Sequence, residues 1–273
     1  MTIVNSGNTI SMGGTATLSG KNESIENELY LSGKGSYNSS GTATISLNDS
    51  AVRTLSATSS GSQVSFSTFY GTNAFTPVTH TYTTGTSATE TVPSGASQVV
   101  ITMWGGGGSG AFLLASGSVG GGGGGAYVQK TIAVSGGQTM TYTVSQGGAA
   151  STGQGATAVA STVSGTLSGG SISLSAGGGG QGTYSPSAGG AGGLASGGDI
   201  NTNGSAGTAG SGSAPGNGGA AANTAGGGGG TAVYMGGYEA GNSIGGGGTA
   251  GDGSFGDSNS GSGAAGQISF AYT

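Results

Sequence analysis

Apolar and polar residues alternate with period two in several stretches of this chain. Val78, His80 and Tyr82 interleave with Thr79, Thr81 and Thr83, and Val99, Ile101 and Met103 lead to Trp104. Near the end, Ile268, Phe270 and Tyr272 are separated by Ser269 and Ala271. Period two places one set of side chains on one face of a strand, so each stretch predicts a half-buried β-strand. Residues 127–134 and 138–144 flank Ser135-Gly136-Gly137, which predicts a β-hairpin with Met140, Tyr142 and Val144 on one face. Ile172 and Leu174 mark a further strand. The expectation is a threonine-rich antiparallel β-domain over residues 76–176, completed by residues 266–273, since a closing strand needs a sheet to join.

Residues 1–75 read differently. They carry much of the charge, including Lys21, Glu23, Glu26, Glu28, Lys34, Asp49 and Arg53. Asn48-Asp49 ahead of Ser50-Ala51-Val52-Arg53-Thr54-Leu55 predicts a short capped helix, because Asn and Asp oxygens satisfy free first-turn amides. Ser65 before Phe66-Ser67-Thr68-Phe69-Tyr70, closed by Gly71, predicts a second helical turn.

Residues 177–265 show neither period, and composition explains why. The 273-residue chain holds 68 Gly but 4 Pro, which excludes collagen, whose repeat needs both. A structureless loop of this length is uncommon inside a compact domain. Spacing points to another kind of order. Every third residue from Gly189 through Gly192, Ala195, Gly198, Asn201, Gly204, Gly207, Gly210, Ser213, Gly216, Gly219, Ala222 and Ala225 to Gly228 is small, with Asn201 the exception. A three-residue-per-turn helix would then carry one bare edge, and helices with bare edges pack closely and exchange backbone hydrogen bonds. The predicted fold is therefore mainly β: an antiparallel β-domain into which a polyglycine-II helix bundle, residues 177–265, is inserted. Glycine tracts at 105–108, 121–125, 177–180, 226–230 and 245–248 supply further helices or the turns between them.

Charge narrows the functions. Four Lys and Arg in total and a net charge of −5 cannot build the basic stripe that nucleic acid or an anionic membrane requires. Residues 1–7 show no basic segment followed by an apolar core, and no stretch approaches the roughly 18 apolar residues of a membrane span. Cysteine is absent, so neither disulfides nor thiolate metal sites contribute.

Few residues offer chemistry. His80 is the lone histidine, on the Val78/Tyr82 face, and is expected to be structural, with no carboxylate cluster beside it in sequence. Candidate carboxylates Glu90, Asp199, Glu239, Asp252 and Asp257 are scattered. Gly105 to Gly108 lacks the Lys-Ser/Thr of a phosphate loop. The run from Gly251 to Asn259 gathers oxygen donors but reads as a solvated turn rather than a Ca²⁺ loop. Neither an enzyme, a cofactor nor a metal site is expected. Tyr184, Tyr234, Tyr238 and Phe255 stand out because they lie among residues with almost no side-chain bulk. Rigid amphipathic rings suit recognition of sugars and proteins, and they suit still better capping the ends of a bundle and shielding its core.

Two segments resemble known proteins. Ser24 to Leu29, Thr42 to Leu55 and Val64 to Gly71 together resemble an N-terminal module of structural proteins of tailed phages. From residue 78 to the end, the Thr-Val-Pro-x-Gly turn at 91–95, Val99 to the glycine tract after Trp104, the Tyr127 to Val144 hairpin and the closing strand resemble glycine-rich domains of phage tail proteins. The glycine zone is similar in kind to the tip adhesins of T-even tail fibres, in which polyglycine-II helices form a sandwich and distal loops contact the host. This resemblance implies a virion protein, in the tail of a phage particle. Residues 1–75 would attach to other virion proteins, and loops bearing Tyr184, Tyr234, Tyr238 and Phe255 would meet a host surface protein or glycan. A purely architectural collar, baseplate or head-decoration part is the alternative, and an ice-binding protein a remote one.

Overall fold

The computed structural model describes residues 17–18, 21–22, 24–31, 45–47, 49–59, 62–65, 69, 75–113, 118–211, 214–223, 226–227, 230, 239–252 and 259–273. Among the described residues, the N-terminal part holds a two-stranded ribbon, β1 (Thr17–Leu18) and β2 (Lys21–Asn22), and helices α1 (Ile25–Leu31) and α2 (Ser50–Leu55). Ile25, Leu29, Val52, Leu55 and Phe69 form a small core of their own. The expected helix at 50–55 is present with Asp49 at its N-cap, but the Asp49 side chain caps no amide of the helix. It accepts instead from the Ser46 N–H at 3.0 Å, tightening the turn that precedes the helix. Of the second expected turn only Ser65 and Phe69 are described; residues 66–68 and 70–71 lie outside the described residues.

The β-domain is built from two five-stranded sheets. One takes the order β14 (Ile200–Thr202), β7 (Tyr127–Ala133), β5 (Gln98–Trp104), β16 (Gln267–Tyr272), β3 (Val78–Tyr82). The other takes the order β13 (Ala195–Ser196), β10 (Gly170–Ala176), β9 (Ser161–Leu167), β8 (Thr139–Thr143), β4 (Ala88–Thr91). All pairings within the two sheets are antiparallel. Val99, Ile101, Met103, Val128, Ile268, Phe270 and Tyr272 from the first sheet pack against Met140, Tyr142, Val144, Val163 and Leu174 from the second. Each fully buried aliphatic of this kind contributes about 1.5–3 kcal/mol over leaving it in water. The closing strand alternates half-buried and buried residues along its length, as its period-two pattern demands.

The expected 127–144 hairpin does not form. β7 pairs with β5 and β14, whereas β8 pairs with β4 and β9, so the turn at 135–138 carries the chain from one sheet to the other. The physical reason lies in the apolar faces. Val128, Ile132 and Val134 need cover as much as Met140, Tyr142 and Val144 do, and facing each other across the interior buries both.

The glycine-rich segments leave the sandwich at one end, through the connections β5 to β7, β8 to β9, β10 to β13 and β14 to β16, and return to it. Between strands they run as extended tracts joined by backbone hydrogen bonds. Tract 120–126 lies at the centre of six others. Its N–H groups donate in turn to Thr183, Thr208, Gly248, Gly180, Ser205, Gly245 and Gly177, a cycle of three neighbours that repeats every third residue. Its carbonyls accept from Ala111, Gly190, Gly219, Gly108, Gly193, Ala222 and Gly105, a second cycle of three. Tracts 105–111 and 245–250 are surrounded in the same way and adjoin 120–126 and each other, for example through Gly108 N–H to Gly123 and Gly248 N–H to Gly108. Around these three lie tracts 145–150, 155–160, 177–182, 189–194, 203–210, 214–222, 239–244 and 260–266, with residues 226–227 and 230.

Such a lattice explains the glycine content. A Cβ at Gly120, Gly121, Gly122, Gly123, Gly124 or Gly125 would stand 1.8–2.1 Å from a neighbouring carbonyl oxygen. No side chain fits there. Exposed outer positions do carry side chains, as at Ala191 and Leu194. The lattice is pegged to the sandwich by Trp104, whose Nε1 donates to the Ala222 carbonyl at 3.1 Å and whose ring tilts against Tyr127 at 5.0 Å between centroids. Ser161 Oγ donates to the Trp104 carbonyl at 2.7 Å and accepts from the Ser145 N–H at 3.0 Å.

Candidate functional site: the distal end of the glycine lattice

Because the tracts alternate outward and back, their connections gather at the end away from the sandwich. The residues described there are 112–113, 118–119, 151–154, 183–188, 211, 214, 251–252 and 259. Residues 114–117, 212–213, 231–238 and 253–258 lie outside the described residues. What is described is a set of interlocked turns. β6 (Phe112–Leu113) pairs in parallel with β15 (Gly251–Asp252), and β11 (Thr183–Tyr184) pairs antiparallel with β12 (Ser187–Ala188). The Phe112 N–H donates to the Gly153 carbonyl at 2.7 Å. Ser151 and Ser260 exchange two bonds: the Ser260 N–H reaches the Ser151 carbonyl at 2.8 Å, and the Ser151 N–H reaches Ser260 Oγ at 3.1 Å. Ala111, Val119 and Ala250 form a buried apolar plug with Leu113 against it, beneath these turns.

Tyr184 stands in the β11–β12 turn with its side chain partly exposed, and its N–H donates to Gln154 Oε1 of the neighbouring turn at 3.2 Å. The Gly120 N–H holds the same turn to the central tract through the Thr183 carbonyl at 2.9 Å. Tyr234, Tyr238 and Phe255 lie outside the described residues. Phe112 is not among the residues that sequence pattern singles out, and it is almost fully buried. Its position directly after the tract that follows Trp104 is the available signal, since an aromatic at the end of a central tract has only the lattice end to cover.

The other chemistry-bearing residues lie in the sandwich. His80 meets a carboxylate after all: its Nδ1 is 2.7 Å from Glu90 Oε1. Tyr82 donates to Glu90 Oε2 at 2.7 Å and Tyr272 to Oε1 at 2.8 Å. Sequence alone hides this cluster because His80 and Glu90 sit on edge strands of different sheets, brought together only by closure of the sandwich. The Glu90 hydrogen bond, with burial and the carboxylate's charge, pushes the Tyr82 phenol up to about 12. Burial first and then Glu90 push Tyr272 and Tyr142 upward also. Asp199 is taken by a bond from Lys130 Nζ at 2.5 Å and the Thr131 N–H at 2.8 Å, which hold its carboxyl below the usual range and fasten β14 to β7. Glu239 joins the lattice through its backbone to Thr249, and Asp252 lies on β15. Asp257 lies outside the described residues.

Among the described residues no cluster of His, Cys, Asp or Glu is arranged to hold a metal, and no helix is long and apolar enough to cross a membrane. No curated protein matches the chain in sequence. The profile of the glycine-rich domain family matches residues 79–273, a span that takes in both sheets and every glycine tract. The chain therefore belongs to the glycine-rich domain family.

Proposed function

We propose that this chain is a structural protein of a phage virion, in which the tracts form a polyglycine-II bundle that carries receptor-binding loops at its distal end. Residues 1–75 attach the subunit to other virion proteins, and the loops bearing Tyr184, Tyr234, Tyr238 and Phe255 contact a host surface protein or glycan. The observation that carries this reading is that the tracts run outward and back, so that alternate tract ends meet at one end of a lattice whose central tract leaves no room for a Cβ at six successive glycines. Rigid scaffolds that hold variable loops are how binding surfaces are commonly built. The three-residue cycle of hydrogen-bond partners along tract 120–126 matches three residues per turn, and supports the polyglycine-II assignment. The reading gives the chain no catalytic part.

The test uses purified full chain against a panel of candidate host bacteria. It should label host cells and block infection, and exchanging residues 183–188 and 231–238 for unrelated polar sequence should abolish both while leaving the fold intact. Exchange without effect on host range would favour the architectural role.

A further inference from the structure

We propose that β3, together with the Glu90 cluster, is a mechanical clamp that carries load between the N-terminal segment and the lattice tip. This rests on the reading that the subunit is anchored through residues before Val78 and pulled at its distal loops. The lattice tracts join the sandwich at the ends of β5, β7, β8, β9, β10 and β16, so tension from the tip spreads over several strands. At the other end the load path narrows to one strand. Phe75 packs against the sandwich core, and the ladder of β3 begins at Val78, which pairs with Tyr272, whereas the lattice begins beyond Trp104, which pairs with Gln267 at the opposite end of β16.

The direction of pull then matters. β3 is an edge strand whose strand partner is β16, antiparallel, with Tyr82 opposite Ile268 and Val78 opposite Tyr272. Pulling Val78 away from the lattice drags β3 along its own axis, so the whole ladder is strained at once and no bond yields before the others. Pulling Val78 sideways would instead open the pairs one after another.

Side chains add to the ladder at right angles. His80 and Tyr82 of β3 both bond Glu90 on β4, which is nearly fully buried, and Tyr272 of β16 bonds the same carboxylate. Tyr82 also stacks on Tyr142 at 4.6 Å, and Phe270 sits edge-on to both rings. Sliding β3 by one residue would withdraw both of its side chains from Glu90 and leave a buried carboxylate short of donors, a costly intermediate.

The experiment is single-molecule pulling on the full chain, which has no native cysteine to compete with engineered handles. One double variant carries Thr76→Cys and Thr152→Cys, loading β3 along its axis; the other carries Thr76→Cys and Ser135→Cys, peeling β3 from its Val78 end. Rupture is governed by the unfolding rate, and the axial geometry should need roughly twice the force of the peeling geometry at equal loading rate. Glu90→Gln should lower the axial force, and the milder Tyr82→Phe should do so by a smaller step if Glu90→Gln fails to fold. Equal forces in the two geometries, or a first axial rupture that releases lattice tracts before β3, would overturn the clamp. Because no receptor enters the measurement, this outcome is independent of whether the loops bind a host.

Discussion

Glycine in the central tracts is demanded by space. At Gly123 a Cβ would lie 1.9 Å from the Ala191 carbonyl oxygen, whereas at Gly153 it would meet nothing within 4 Å. Gly123→Ala should therefore destabilise the chain by about 3 kcal/mol or more, as overpacking against immovable backbone does. Gly153→Ala should stay within about 0.5 kcal/mol. Denaturant titration of the two variants checks the contrast. The tyrosines around Glu90 make a second residue-level prediction. Tyr82 holds its proton more tightly in the folded state, at about 12 against 10.0, and Tyr142 and Tyr272 shift in the same direction. Folding is thus fully supported below pH 10 and loses support as pH rises through the folded value. Thermal melts should show Tm falling between about pH 10 and 12, and Tyr82→Phe should flatten part of that fall. Of these residue-level features, the small-residue spacing was legible in sequence at 204, 207 and 210, where a Cβ would meet backbone of residues 119–125, and at 216, 219 and 222, whose N–H groups bond Val119, Gly122 and Gly125. Those tracts show one glycine edge to the centre. Tract 120–126 faces neighbours on every side, so its glycines are continuous and leave no period to read.

Among the elements, strands with one buried face were legible: β3, β5, β10 and β16 all stand where alternation placed them. β14 was not, because its residues are all exposed and it is fastened by Lys130 and Asp199 rather than by an apolar face. The 127–144 pair was read as a hairpin because turn residues and flanking alternation are the same for two strands that pair and two that face. Only the demand for cover by both apolar faces separates the cases, and that demand depends on the whole sandwich. Ser161 is the element-level test of how the lattice is seated. Ser161→Ala removes its bonds to the Trp104 carbonyl and the Ser145 amide in a buried setting, which should cost about 1–3 kcal/mol. Trp104 is the chain's single tryptophan, so loosening at this junction should appear as a red shift of its emission.

At the scale of the molecule, two kinds of order meet end to end. The sandwich is held by buried side chains and the lattice almost wholly by backbone hydrogen bonds, each worth a net 0.5–1.5 kcal/mol only while its partners stay in place. An isolated tract has no internal bonds, so the tracts order together, tied down by four strand connections. Distal turns are free to vary in sequence under this arrangement, since the lattice ends and not the turns fix their position; replacing residues 183–188 should leave Tm within a few degrees. Of the candidate recognition residues, Tyr184 is described, in the β11–β12 turn, and its place at the end away from the sandwich emerges only from tract direction. Amide hydrogen exchange across residues 120–126 reads the lattice directly. With every N–H bonded to a neighbouring tract, these glycines should exchange as slowly as the core strands β5 and β16. Exchange at the rate of an open glycine chain would contradict the lattice, and with it the surface proposed to meet the host.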